Sequence, residues 1–432
     1  MECNQLWRGT MQPIFQRIKQ FTRLPFFNHD TQQHTPSYTL YEDSHPLLLA
    51  GQGTLCFKLD HYRAFSLDLI AQSAIIRLTV NQNGAKFYCL YKGRFLLLSE
   101  ATSSEASLDQ DPQASYWVSF FATSRTLRYG KGEPRVLTTL LEHILPASDK
   151  SPTQFWMNQI THYRINTDAS VSLKKYPVTI EPAIKVLPRD QITMMDIAKG
   201  KHTVINALPD ECRELYHHIA GEQFTLNTPD FPDFTDAIEA SIANPDGWCH
   251  QTLLAKKAVF TQHSKTAQTD LSQCTYLRIT LGENQGCSPG IPYVLEIWPS
   301  GHYSPIHKHA DTNAIIRVLH GDIDVNLYSM LSIHHQQPFV SRTLQSGDIT
   351  WLAQETNQVH QLKNSSAQGK ACMTIQCYSY QRNQPAHYEY FDYIDPAENT
   401  IEQYYPVSDD DFISFRQRIQ KEWQQRTRKQ CK

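Results

Sequence analysis

Apolar positions in this chain alternate more often than they recur at helical spacing. Phe65, Leu67 and Leu69 alternate, as do Ala74, Ile76, Leu78 and Val80, the period of two expected of half-buried strands. Asn81-Gln82-Asn83-Gly84 then supplies turn chemistry, and apolar runs resume at Tyr88–Leu90 and Phe95–Leu98. Tyr116, Val118 and Phe120 alternate again ahead of Tyr129-Gly130-Lys131-Gly132. Short strands punctuated by turns predict a sandwich-like β domain here. From Tyr276 the pattern returns: Tyr293, Leu295 and Ile297 alternate, then Ile323, Val325 and Leu327, then Ala371, Met373 and Ile375. Gly321-Asp322 and Ser346-Gly347-Asp348 sit between these runs as turn signals. Many short strands without long helices between them predict a small closed antiparallel β-barrel. The expected fold class is mainly β.

Helical spacing is confined to a few places. Residues 137–230 mix short helical and extended pieces, interrupted by Pro177, Pro182, Pro188 and Pro209. Asn227-Thr228-Pro229-Asp230-Phe231-Pro232 reads as a linker. A short helical lead-in follows over Asp236 to Ile242, with Phe234, Ile238 and Ile242 on one face, and it stops at Asn244-Pro245. From Asp411 a second helix carries Phe412, Phe415, Ile419 and Trp423 in one stripe, a packing face. At 432 residues, two cores are the default. The expected organisation is a leader over 1–45, a β-rich domain of unassigned role over 46–226, the barrel over 227–395, and a helical tail over 396–432.

Composition narrows the function classes. A formal charge of -3 and the lack of a dense Lys/Arg tract argue against nucleic acid as a partner. The longest apolar stretches fall far short of the ~20 residues that a membrane helix needs. The ten cysteines are scattered with no C-x-x-C pair and no secretory signal ahead of them, which points to reduced thiols and a cytoplasmic protein. Within the first 29 residues, Arg8, Arg17, Lys19 and Arg23 face only Glu2. That basic start reads as a frayed terminus with one short helix; a transit peptide or membrane-surface helix is the other reading.

Candidate chemistry concentrates in two strings. One is Gly301-His302-Tyr303-Ser304-Pro305-Ile306-His307-Lys308-His309, running on to Gly321; the other is Gly347-Asp348-Ile349 followed by His360-Gln361-Leu362-Lys363-Asn364. Residues two apart on a strand share a face, so His307 and His309 point into one space. His360, on another strand, can bring a third imidazole to the same point. Neutral imidazole suits iron, zinc, copper and nickel, and three protein ligands leave positions open for reactants.

These spacings resemble the two signature motifs of the cupin superfamily. Cupin sites usually carry a glutamate four or five residues after the second histidine, where this chain has Asn313 and Ala314. Three neutral ligands leave a divalent ion its full charge, which favours an anionic thiolate partner. More narrowly, residues of about 230–395 resemble cysteine dioxygenase. The resemblance rests on the string from Ile297-Trp298 through His309, on Tyr276-Leu277-Arg278, on Asn244-Pro245-Asp246-Gly247-Trp248, on His360 through Asn364, and on Cys377-Tyr378-Ser379. Upstream, Tyr116-Trp117-Val118-Ser119-Phe120 with Tyr129-Gly130 is similar to β-sandwich modules beside farnesoic-acid-methyltransferase-like proteins, through aromatics more typical of a core than of a ligand platform.

The cysteine dioxygenase resemblance implies Fe(2+) on His307, His309 and His360, Arg278 on the substrate carboxylate with Tyr276 beside it, and Tyr378 as the catalytic tyrosine. Thr374, Gln376 and Trp298 are implied to surround that set. The family usually has Ser-x-His-x-Tyr where this chain has Thr374, Gln376 and Tyr378, so an imidazole is lost behind the tyrosine. Ala314 replaces the cysteine that in animal enzymes can cross-link to the tyrosine. The expected function is oxidation of L-cysteine by O2 to cysteine sulfinate. A 3-mercaptopropionate dioxygenase is the close alternative: that family tends to place glutamine where Arg278 stands, so the arginine favours cysteine, while Gln376 weakens the preference. A catalytically silent cupin acting as a ligand-binding or sensor module is the alternative of another class.

Overall fold

The structure, a computed structural model, describes residues 43–91, 93–146, 156–263, 273–281, 293–309, 312–379 and 390–430. The expected leader lies, up to residue 42, outside the described residues. Among these residues no helix is long and apolar enough to cross a membrane.

The alternating segments of the first half form two sheets. In one, the strand Phe65–Ile70 pairs with Ala74–Asn81, which continues through Gly84–Tyr91 to Arg94–Ala101. In the other, Gln52–Leu59, Ser115–Phe121, Thr126–Lys131 and Thr139–Ile144 lie in that order, with Val171–Tyr176 beyond the first. Side chains of one face of each strand, among them Leu55, Phe57, Leu67, Ile76, Leu78, Phe87, Val118 and Phe120, fill a single core. Phe65 stands edge-on to Phe57 at 5.1 Å and to Tyr116 at 5.0 Å within it. Tyr116, Trp117, Val118 and Phe120 are buried, so this aromatic string packs.

The second half also has two sheets, and each of its strands is short. The order in the first is His202–Val204, Lys185–Leu187, Ile349–Leu352, Asn313–His320, Cys372–Ser379, Tyr293–Trp298, Leu277–Thr280, Asp410–Asp411. The order in the second is Val340–Gln345, Asp322–Leu327, Val359–Lys363, His307–Lys308, Phe391–Ile394, Ile401–Tyr404. The chain crosses between them at Gly321, whose φ of +71° and contact with the Ala371 carbonyl leave no room for a Cβ. Inward residues Trp298, Ile316, Val318, Ile323, Val325, Leu327 and Leu362 join the sheets.

Three expectations change here. First, no closed barrel forms among the described residues. The two sheets are joined by side-chain packing, and the ladders run out at separate edge strands. Two pairings are parallel, Lys185–Leu187 with His202–Val204 and Leu277–Thr280 with Asp410–Asp411. Second, residues 185–226, expected with the first domain, are built into the second. Lys185–Leu187 pairs with Ile349–Leu352, and Leu208, Cys212, Leu215, Ile219 and Leu226 enter the core beneath that sheet. Third, the tail 396–432 is not helical throughout: Ile401–Tyr404 is a strand, and the helix runs over Phe412–Gln430, where the stripe from Asp411 predicts it.

Helices Asp210–Ile219, Phe234–Ala243 and Phe412–Gln430 cover the outer face of the eight-stranded sheet. Phe415 and Ile419 are fully buried there, each stabilising the fold by about 1.5–3 kcal/mol through apolar area removed from water. Leu295, Ile297 and Ile315 therefore face helices, and the alternate residues Val294, Glu296, Trp298 and Ala314 face the interior between the sheets.

Buried polar contacts tie the halves together. Lys131 Nζ and His335 Nε2 both donate to the buried carboxylate of Asp109, at 2.9 and 2.6 Å. Arg135, 2% exposed, donates to Glu133 at 2.7 Å, to the Pro182 carbonyl at 3.0 Å and to Asn357 Oδ1 at 2.7 Å. Glu133 in turn accepts the Asn357 backbone N–H at 3.0 Å. Gly132, at φ +74°, permits the close approach, since a Cβ there would sit 2.2 Å from the Ser329 carbonyl oxygen.

Candidate metal centre

His307–Lys308 is a two-residue strand between Val359–Lys363 and Phe391–Ile394, and its antiparallel register sets His307 directly opposite His360. The preceding loop is fixed at three points. Ser304 N–H donates to the Leu362 carbonyl at 2.9 Å, the Leu362 N–H returns to Ser304 Oγ at 3.0 Å, and buried Asn364 donates to the Trp298 carbonyl at 2.8 Å. His309 follows two residues on and comes to the same place. Ring centroids lie 4.7 Å apart for His307 and His309, 4.5 Å for His307 and His360, and 4.9 Å for His309 and His360. Ligand atoms of all three fall within 4.8 Å of one another.

Burial holds these imidazoles neutral. It brings His307 down to about 4 and His309 and His360 well below the ordinary histidine value, and the neighbouring rings add to the effect on the latter two. His307 Nδ1 donates to the Pro305 carbonyl at 3.0 Å, which fixes the tautomer with its lone pair on Nε2. That Nε2 faces His309 Nε2 at 2.9 Å. Two nitrogens each about 2.1 Å from a common ion, at right angles, would be separated by about 3.0 Å. The donor set therefore fits a divalent first-row metal.

A cavity of about 250 Å³ opens beside the three rings. Tyr276, Arg278, Trp298, Gln376 and Tyr378, all expected at the site, line it together with the histidines. Thr374 stands behind, accepting the Trp298 Nε1–H at 3.2 Å. Tyr276 stacks on Trp298 with centroids 4.2 Å apart. His302 Nδ1 bonds the Thr275 carbonyl at 2.7 Å, a structural role. A larger cleft of about 520 Å³ adjoins the cavity and shares Tyr276, Ser304, His307 and Phe391 with it.

Two lining residues escaped the sequence reading. Phe391 packs on His309 with centroids 4.2 Å apart. Glu296, 3% exposed, accepts from Arg278 Nη1 at 3.0 Å. Its other oxygen accepts from Gln376 Nε2, and Gln376 Oε1 accepts the Tyr378 hydroxyl. Arg278, Glu296, Gln376 and Tyr378 thus form one hydrogen-bonded chain across the cavity wall. Burial raises the Glu296 carboxyl to about 7, against the pull of Arg278 and Lys256. One signal was available: with Tyr293, Leu295 and Ile297 on one face, Glu296 shares the other with Trp298.

The backbone of Arg278 is clamped from outside. Asp409 accepts the Arg278 N–H at 2.7 Å and the Lys256 ammonium at 2.6 Å, and the Asp409 N–H donates to the Arg278 carbonyl at 2.7 Å.

Residues 251–389 match the family model described as cysteine dioxygenase type I. No curated protein matches the chain. Among solved structures it is similar to a cupin 2 domain-containing protein from Halorhodospira halophila, at 16% identity over 29% of this chain and 75% of that one, with a TM-score of 0.19. The cupin_2 domain of an XRE family transcriptional regulator from Enterobacter cloacae gives 17% identity over 25% and 98%, with a TM-score of 0.20. KdgF from Halomonas sp. gives 17% over 28% and 91%, with a TM-score of 0.19. With TM-scores this low, the family match is the similarity that bears on the site.

Proposed function

We propose that the second half of this chain is a thiol dioxygenase, which oxidises L-cysteine with O2 to cysteine sulfinate at Fe(2+) held by His307, His309 and His360. One observation carries this reading: three neutral imidazoles converge on a cavity that Arg278 and Tyr378 also line. The match of residues 251–389 to the cysteine dioxygenase type I family supports it. In the overall reaction, R–SH and O2 give R–SO2H; both oxygen atoms pass to sulfur and no external reductant is consumed.

Bound iron would supply the one-electron reactivity that dioxygen chemistry with a thiol requires. The imidazoles need release no proton to bind a cation at neutral pH, because burial already keeps them unprotonated. Arg278 offers a planar fork of donors for the substrate carboxylate. Tyr378 donates its hydroxyl to Gln376, which sets the direction in which the phenol faces the cavity. Gln376 does not titrate; it orients Tyr378 where an imidazole could have exchanged protons. Phe391, over His309, keeps water from one side of the ring cluster.

The test is oxygen uptake by the iron-loaded full chain, with the product identified. L-cysteine should consume one O2 per sulfinate formed. Iron-loaded protein that consumes no oxygen with either L-cysteine or 3-mercaptopropionate would sink the proposal.

A further inference from the structure

Glu296 is the one acidic side chain among the described residues that line the metal cavity. Its neighbours on the same strand face, Val294 and Trp298, are fully buried and apolar, and the charges it answers are Arg278 and Lys256. Burying a charged pair is no route to stability, since apolar residues of similar volume do as well or better. The pair also changes what the cavity can bind. Arg278 and Glu296 cancel, so a ligand with a carboxylate alone meets no net positive charge from them and must lie near a second buried carboxylate.

Both partners keep capacity for a ligand. A guanidinium has five N–H donors, and one of those of Arg278 reaches Glu296. A carboxylate has about four acceptor sites, and Glu296 uses one on each oxygen, for Arg278 and for Gln376. With Glu296 ionised, the wall presents an anion and a cation side by side, complementary to a molecule that carries an ammonium next to a carboxylate.

We propose that Glu296 is the ammonium-binding residue of this cavity, and that its ligand is an aminothiol whose ammonium sits on Glu296 and whose carboxylate, where present, sits on Arg278. This assignment rests on the thiol dioxygenase reading and narrows it to thiols that carry an amine. Glu296 then acts as a specificity determinant as well as the partner of Arg278.

Calorimetric titration of the iron-loaded full chain without oxygen tests this, using L-cysteine, 2-aminoethanethiol and 3-mercaptopropionate. The unaltered protein should bind both aminothiols more tightly than 3-mercaptopropionate. Glu296→Gln should weaken both aminothiols by about ten- to a hundredfold, the scale of one charge-assisted hydrogen bond, and leave 3-mercaptopropionate unchanged or tighter. Equal weakening of all three would overturn the assignment, because Glu296 would then merely align Arg278. Tightest binding of 3-mercaptopropionate to the unaltered chain would overturn it too, and that comparison holds even if the variant does not fold. Binding of none of the three would remove the thiol reading together with this one, whereas 3-mercaptopropionate binding and turning over best would remove only the role of Glu296.

Discussion

Arg135 lies in the first half of the chain, yet its loss should be felt at the metal centre. Arg135→Met removes a buried cation and leaves Glu133 without its countercharge; burial already raises the Glu133 carboxyl above its ordinary value. Removing one member of a buried pair costs about 3–5 kcal/mol. The hydrogen bonds to the Pro182 carbonyl and Asn357 Oδ1 go with it and fall within that figure. Asn357 has a φ of +60° and stands three residues before His360. Its side chain would keep the bond to the Trp351 carbonyl at 3.0 Å but lose Arg135. Loss of a group that orients a ligand typically costs about 10- to 100-fold in metal affinity. Two measurements check this at pH 7: guanidinium unfolding followed by tryptophan fluorescence, and metal titration against a chromophoric chelator. The double substitution Glu133→Gln with Arg135→Met, which removes the stranded charge, should recover most of the stability and none of the metal affinity. A single variant within about 1 kcal/mol of the unaltered chain, or a double variant no more stable than the single, would refute the reasoning.

Asp109 sets an acid limit. Burial alone would raise its carboxyl, but hydrogen bonds from His335, the Asp111 N–H and Lys131 hold it well below the usual range. As pH falls below 3.8 the unfolded chain therefore binds more protons than the folded one, and stability is lost in that window. The urea midpoint should drop between about pH 4 and pH 2.5, and Asp109→Asn, less stable at pH 7, should show a flatter acid limb. His307→Ala should abolish stoichiometric iron binding, checked by metal analysis, with the far-ultraviolet circular dichroism unchanged. Arg278→Ala should raise the KM for L-cysteine by about 10- to 100-fold in oxygen uptake, and an unchanged KM would remove the carboxylate role. Tyr378→Phe should lower kcat by about tenfold and leave iron content intact.

The pairing of His307 with His309 in one place could be read from the chain because strand periodicity fixes which side chains share a face. His307 and His309, and likewise Thr374, Gln376 and Tyr378, follow from a period of two without any knowledge of pairing. Glu296 was missed because its strand was recognised by the apolar residues of the other face, which are buried under helices. With both faces buried, alternation cannot say which one lines the cavity. The three-residue strands Lys185–Leu187 and His202–Val204 are too short to show a period, and only their partners reveal the sheet they join. The contact from Arg135 to Asn357 spans 222 residues, and no local pattern encodes it. The two-sheet arrangement is likewise a property of pairing between distant segments.

The strand Leu277–Thr280 has Tyr293–Trp298 on one side, and on the other only the short parallel pairing with Asp410–Asp411. Asp409 and Ser408 take up the N–H groups of Arg278 and Thr280 on that side. Cutting the polypeptide ahead of Ser408 would bare these groups along a short strand, a template onto which the same strand of another molecule could add. Shortened versions should therefore precipitate or pair up before they lose iron, and in purification the last two dozen residues would act as a guard against self-association.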